Sequence, residues 1–425
     1  MKHQPKILVA GLLAMAACSF TASCSDDDLG PSIFDTKEYA LDRNSFTFPL
    51  DTFVKVNFLE PYNMRFIYRM EYTGSDKDKN LTPARYSKSQ ELAVLTKYLW
   101  YDVYDKVAAA GPVFLKSYSP RIIFVVGSRN LNTSSGTETL GVTEGGTKVT
   151  LYRVNMLEPD NIEDMNEYFF ETMHHEFGHI LDNNRLHPTT FNMLSSGRYN
   201  AAGWSDTPDS VAASQGFISP YASASYTEDW VETLGRFITR DTLTLERLYH
   251  TAEYEWEIVD LEDKNGDNSV TPDDYNYMVR GKIDIDTIGY FKDDESGKGE
   301  YKVYRRVCAR DANGNVVPGE DGKPQWTANI TGARQVIEEK IRYVKEYMQE
   351  QFGINLYELR QEIQNKQFRR DADGNFLTEE YYNSTTKRNE KRMLNAITYI
   401  DPATGKSVLT TLLEEIEKYK ELQNK

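Results

Sequence analysis

The chain has 425 residues, 40% of them hydrophobic and 12% aromatic, enough to bury a sizeable core. With 65 acidic residues against 49 basic ones its formal charge is −16, so it lacks the positive footprint that nucleic acid demands of a partner. Beyond the N-terminus, no apolar run approaches the roughly 18 residues that a bilayer span requires.

Residues 1–20 carry Lys2 and Lys6, then the apolar run 7–17 and small residues. That layout is an export signal, too short to span a membrane. Thr21-Ala22-Ser23-Cys24 follows and resembles the lipobox of bacterial lipoproteins, in which the cysteine is acylated and becomes the first residue. Cys18, after Met15-Ala16-Ala17, is the rival site. Ser25-Asp26-Asp27-Asp28 favours Cys24, because it resembles the acidic signal that sends Bacteroidota lipoproteins to the cell surface. The expectation is a signal peptide over 1–23, a lipid anchor at Cys24 and an outer-membrane, surface-exposed protein. Several acyl chains would hold it firmly where one is marginal. Cleavage before Cys24 leaves Cys308 without a partner, so stability must come from the core.

Residues 24–45 read as a polar tether, and 46–250 as the region that carries chemistry. Phe46, Phe48 and the alternation over 53–58 predict strands, and 64–72 continues in the same way. Residues 87–110 repeat apolar side chains at helical spacing. Residues 122–126 are wholly apolar and predict a buried strand. Residues 137–154 predict a hairpin turning at Gly145-Gly146, with 141–152 as a sheet edge able to receive an extended peptide as an added strand. A helix is expected over 161–183. Residues 251–330 are polar and turn-rich, an insertion of hairpins and loops. Residues 331–425 return to helical periodicity at 336–364 and 408–422. The class is α+β.

The chemistry is concentrated in Glu171-Thr172-Met173-His174-His175-Glu176-Phe177-Gly178-His179. On a helix His175 and His179 stand one turn apart, so both imidazoles can reach one tetrahedral zinc. Glu176 lies beside the open position where water would bind, placed to act as general base. Three of the six histidines of the chain fall within these positions. A third ligand is required. The position six residues beyond His179 is Arg185, and His187, before Pro188, reads as an exposed loop residue. An acid on a second helix fits better. In residues 225–238, with Thr227 as the expected N-cap, Glu228 and Glu232 lie one turn apart, opposite Trp230, Val231, Leu234 and Phe237. Glu228 is the expected ligand and Asp229 its reserve, while Glu232 would orient a ligand histidine.

His175-Glu176-Phe177-Gly178-His179-x-x-Asp182 followed by Glu228-x-x-x-Glu232 resembles the glutamate zincins, especially their lethal-factor-like branch. The resemblance implies a zincin-like lobe, with a mixed sheet, an edge strand, an active-site helix and a glutamate helix. It implies Zn2+, a peptide or protein substrate, Asp182 and Glu232 in support of the ligands, and Tyr221 as oxyanion donor, with Tyr226 as rival. Together with the lipoprotein signal, the chain resembles the zinc-binding metallopeptidase lipoproteins of Bacteroidota, also called substrate-import-associated zinc metallohydrolases. Those accompany outer-membrane nutrient-import proteins. The other reading of the same features is a non-catalytic lipoprotein that holds peptide or glycan for import.

Finally, Asp263, Asn265, Asp267, Ser269 and Asp274 have the spacing of an EF-hand-type calcium loop. Asn268 stands where glycine is usual, a position Asn tolerates in the left-handed conformation. Ca2+ is the second expected cofactor.

Overall fold

The computed structural model describes residues 41–70, 79–132, 138–144, 146–280, 287–292, 299–320, 322–384 and 387–423. Cys18, Cys24, the export signal and Gly145 lie outside them. The described residues from Phe46 onward belong to one compact unit.

The first segment departs from expectation: Phe48–Val54 is helix α1, and Lys55–Leu59 adds a π-helical turn. Alternation over six residues fits a strand or a helix equally well. Two signals decide it. Pro49 stands in the first helical turn, where its missing N–H costs nothing. The π turn then sets Phe53 and Phe58 five residues apart on one buried side, while Val56 faces solvent.

Arg65–Ile67 is β1, and Tyr86–Thr96 is α2, which runs on through a π turn to Val107. Ile122–Val125 is β2, Gly141–Glu144 β3 and Lys148–Leu151 β4. They form one mixed sheet in the order β1-β2-β4-β3, with β1, β2 and β4 parallel and β3 antiparallel at the edge. Ile123, Val125, Val149 and Leu151 join the main core, whereas Phe124 and Tyr152 pack on the opposite face with Val126. Burial on both faces explains the unbroken apolar run of β2.

Glu171–Asn184 is α3 and Tyr226–Thr239 is α4. The cap of α4 is Ser225, not Thr227: the Ser225 hydroxyl accepts from the Glu228 N–H at 3.2 Å. Trp256–Asp260 is β5, Pro272–Arg280 α5, Thr287–Lys292 β6 and Tyr301–Arg306 β7. These strands form a separate antiparallel sheet with its own small core at Leu261, Tyr275, Met278, Val279 and Val303. Ala333–Phe352 is α6, Leu356–Gln367 α7 and Val408–Glu417 α8. The main core runs from Leu50 to Ile416, so these helices complete the same core as the sheet. Arg360 donates to the carbonyls of Phe237 and Arg240, and Gln364 to that of Arg240, closing the end of α4 that α-helical bonding leaves open.

In the loop before α5, Asn268 has φ +67°, the conformation expected there. The Asp263 carboxylate accepts from the N–H groups of Gly266 and Asn268, Asn265 accepts from Asp267, and Asp267 accepts from Ser269. Asp274, fully buried, accepts from Lys264, Asn265 and Thr271. The five residues thus share one loop, and its carboxylates hold backbone N–H groups.

Edge strand β3 lies unusually close to α3. A Cβ on Gly141 would stand 2.4 Å from Thr172 Cγ2 and 3.6 Å from Glu176 Cγ. Gly141→Ala should therefore destabilise the protein by about 1–3 kcal/mol, read from denaturant unfolding. Thr172→Ser removes only the clashing methyl and should recover most of that loss in the double variant. Strictly additive effects would show that strand and helix are not in contact at this point.

Candidate metal centre

Helix α3 presents two faces of opposite chemistry. Phe169, Phe170, Met173, Phe177, Ile180 and Leu181 are buried in the core. His174 points to that side as well, its Nδ1 3.2 Å from the Tyr104 hydroxyl and its ring against Trp100. Burial lowers its pKa to about 3, so it stays neutral, and its contacts with Tyr104 and Trp100 keep it on the core side. His175, Glu176 and His179 lie on the other face, where α4 crosses.

That crossing is close because glycine stands on both helices. A Cβ on Gly178 would meet Val231 Cγ1 at 3.0 Å, and one on Gly235 would meet the Glu171 carbonyl at 3.3 Å. The approach brings Glu228 Oε2 to 3.2 Å from His175 Nε2 and 3.4 Å from His179 Nε2. Bonds of 2.0–2.1 Å in tetrahedral geometry place neighbouring ligand atoms about 3.3–3.4 Å apart, so both separations suit a shared zinc. Glu228 Oε2 is buried and faces the two imidazole edges, a costly place for a carboxylate oxygen unless a positive charge lies between them. Among the described residues His175, His179 and Glu228 form the one group of three with this convergence. The donor set fits Zn2+.

Behind this group, His175 Nδ1 donates to Glu232 Oε1 at 2.8 Å, which directs Nε2 toward Glu228 and His179. Glu232 also accepts from the Ser219 hydroxyl and lies 3.3 Å from Arg236 Nε. Arg236 in turn faces Glu171 at 3.0 Å, and Arg240 faces Glu171 at 2.6 Å. Burial would lower the pKa of His175, but the Glu228 and Glu232 carboxylates outweigh it and raise it to about 10. Burial likewise acts to raise Glu228, yet the two imidazoles hold it well below the usual carboxylate range. A proton held on His175 is one that a bound cation would displace.

Tyr221 stacks on His175 with ring centroids 5.7 Å apart, backed by Trp204 at 4.6 Å. Burial, then the charges of Glu228 and Glu232, push its phenol upward, so it remains a hydrogen-bond donor. Tyr226 is half-exposed and lies instead near His187, at 6.2 Å. A cavity of about 350 Å3 opens beside His175 and Glu176, walled by Leu140 and Gly141 of the edge and by Glu167, Glu171 and Arg236.

Three expectations need correction. His187 is buried rather than exposed, stacked on Trp230 at 4.7 Å. Asp182, expected to support the metal ligands, accepts from His187 instead, at 2.7 Å from its N–H and 2.9 Å from Nδ1. The pair fastens the loop that leaves α3. Asp229, the reserve ligand, turns away from the histidines to pair with Lys340 at 2.6 Å. The sequence placed Glu171 on the polar stripe of the motif helix but assigned no role to Ser219, Arg236 or Trp204. Arg236 was within reach, since it continues the Glu228–Glu232 spacing by one turn.

A family model described as "Putative zinc-binding metallo-peptidase" matches residues 44–357. A crystal structure of a putative zinc-binding metallo-peptidase from Bacteroides caccae is similar at 26% identity and a TM-score of 0.48, covering 74% of this chain and 90% of that one. No curated protein matches the chain. The family match spans well over half of the sequence, and the protein belongs to that putative zinc-binding metallo-peptidase family.

Proposed function

We propose that the protein is a zinc metallopeptidase of glutamate-zincin type, with His175, His179 and Glu228 as ligands. The observation that carries this reading is the approach of Glu228 Oε2 to both Nε2 atoms at 3.2 and 3.4 Å. Zinc held there would supply a Lewis acid, polarising the scissile carbonyl and lowering the pKa of water toward neutrality. An extended peptide would pair with the outer side of β3, and Gly141 lets that edge lie against Glu176. The adjacent cavity is large enough for a side chain next to the cleaved bond. Glu176 then takes the proton of the attacking water and passes it to the leaving nitrogen. Tyr221 donates to the carbonyl oxygen as negative charge gathers on it, an interaction strongest in the transition state.

Anchoring at Cys24 on the outer surface, possession of the acidic Ser25–Asp28 stretch and service to nutrient import belong to the same proposal. A peptide trimmed outside the cell is suited to uptake.

Four variants test this reading. Glu176→Gln should retain zinc at wild-type stoichiometry and lose about 10²–10⁴-fold in peptide cleavage. Glu228→Gln should lose the metal itself. Retained cleavage in the first variant, or retained zinc in the second, would remove these residues from their roles. Tyr221→Phe should lower kcat by roughly 10²–10³-fold with little change in KM, and a change confined to KM would make the phenol a binding group only. Cys24→Ser should release the protein from the outer-membrane fraction, whereas unchanged fractionation would point to Cys18.

A further inference from the structure

Lys340 is fully buried in the third turn of α6, between the core residues Ile337, Ile341 and Val344. An apolar side chain would suit that helix face better, since burying an ammonium is costly and its pairing seldom returns a net gain. The partners of Lys340 supply another reason for it. Its Nζ stands 2.6 Å from Asp229 Oδ2, donates to the Gly216 carbonyl at 2.7 Å, and lies over the Phe217 ring at 4.2 Å. Asp229 is fully buried too, and also accepts from the Tyr199 hydroxyl at 3.0 Å.

Each of those partners leads directly to the metal centre. Asp229 follows Glu228 in the first turn of α4, so fixing its carboxylate fixes the rotation and height at which Glu228 leaves the helix. Gly216, at φ +86°, begins the loop that delivers Ser219 to Glu232 and Tyr221 to His175. That loop rests on α6, where a Cβ at Gly216 would meet Val336 Cγ1 at 2.9 Å. One ammonium therefore ties the glutamate helix and the tyrosine loop to a helix some 110 residues further along the chain.

We propose that Lys340 is a positioning residue of the metal centre, holding Glu228 and the Tyr221 loop in register. The inference rests on the metallopeptidase reading above. A chelator-competition titration with zinc alone reads it without reference to catalysis, alongside thermal unfolding. Lys340→Met should lose about tenfold in zinc affinity, the lower end expected when support behind a ligand is removed. Asp229→Asn/Lys340→Met leaves no buried charge, so it should regain thermal stability and still bind zinc about tenfold more weakly. It also keeps the test open where the single variant does not fold. Ile416→Ala in α8, a core truncation away from the centre, should cost stability but hold zinc within about twofold of wild type. The proposal is overturned by a double variant with wild-type zinc affinity, or by an Ile416→Ala protein that loses as much affinity as the lysine variants. Wild-type protein that binds no zinc sinks the metal-centre reading and this one with it. Wild-type zinc binding with undiminished lysine variants sinks this one alone.

Discussion

The distance between α3 and α4 is the constraint on which the rest depends. Two imidazoles on one helix supply only half of a tetrahedral site, and the third ligand must come from across a helix interface. Helix axes ordinarily pack 8–10 Å apart, set by the side chains at the contact. Gly178 sits against Val231 and Leu234, and Gly235 against the backbone of Glu171 and His175, so both sides of this interface lack a Cβ. The short reach of Glu228 is then sufficient. The same crossing lets Glu232, one turn further on, meet His175 Nδ1. The proposed ligand Glu228 and its proposed orienting group Glu232 are thus delivered by a single packing arrangement.

That geometry is sustained by parts of the chain far from the motif. Helices α6 and α7 share the main core with the sheet and α3, and Arg360 and Gln364 close the C-terminal end of α4. The opposite end is held by the Ser225 cap and by Asp229–Lys340. A helix fixed at both ends and pressed against α3 along its length has little freedom to slide. A catalytic constellation tolerates errors of only about half an ångström, so the proposed site would need this rigidity. The small sheet over β5–β7, by contrast, keeps a hydrophobic cluster of its own.

Much of the centre was legible because its chemistry imposes spacing. His175, Glu176 and His179 must fall at i, i+1 and i+4 of a helix, and Glu228 and Glu232 at i and i+4 of another. Those periodicities survive in sequence whatever the tertiary context. The buried strand β2 and the hairpin of β3 and β4 were legible for the same reason. What failed was local pattern without a second constraint. Residues 46–58 alternate in a way that suits either element, and only the π turn and Pro49 decide it. His187 looked like a loop residue because burial by Trp230 is a non-local event. Lys340 carried no signal at all: a lysine on an amphipathic helix reads as solvent-facing, and its partners lie more than 100 residues away.

The charges along α4 make one further argument for a cation. Burying carboxylates at a helix interface is unfavourable unless each meets a positive group. Glu171 is answered by Arg236 and Arg240, Glu232 by Arg236 and Asp229 by Lys340. Of these four buried or nearly buried acids at the crossing, Glu228 alone faces no guanidinium or ammonium among the described residues, only the edges of two imidazoles. His175 can balance it by holding a proton on Nε2, but then it cannot serve as a ligand. The divalent ion proposed there would meet both demands together, because it would displace that proton and supply the charge. Among the described residues the ion pairs at the crossing are complete except at Glu228 and the buried Glu176, the two carboxylates beside the proposed metal position.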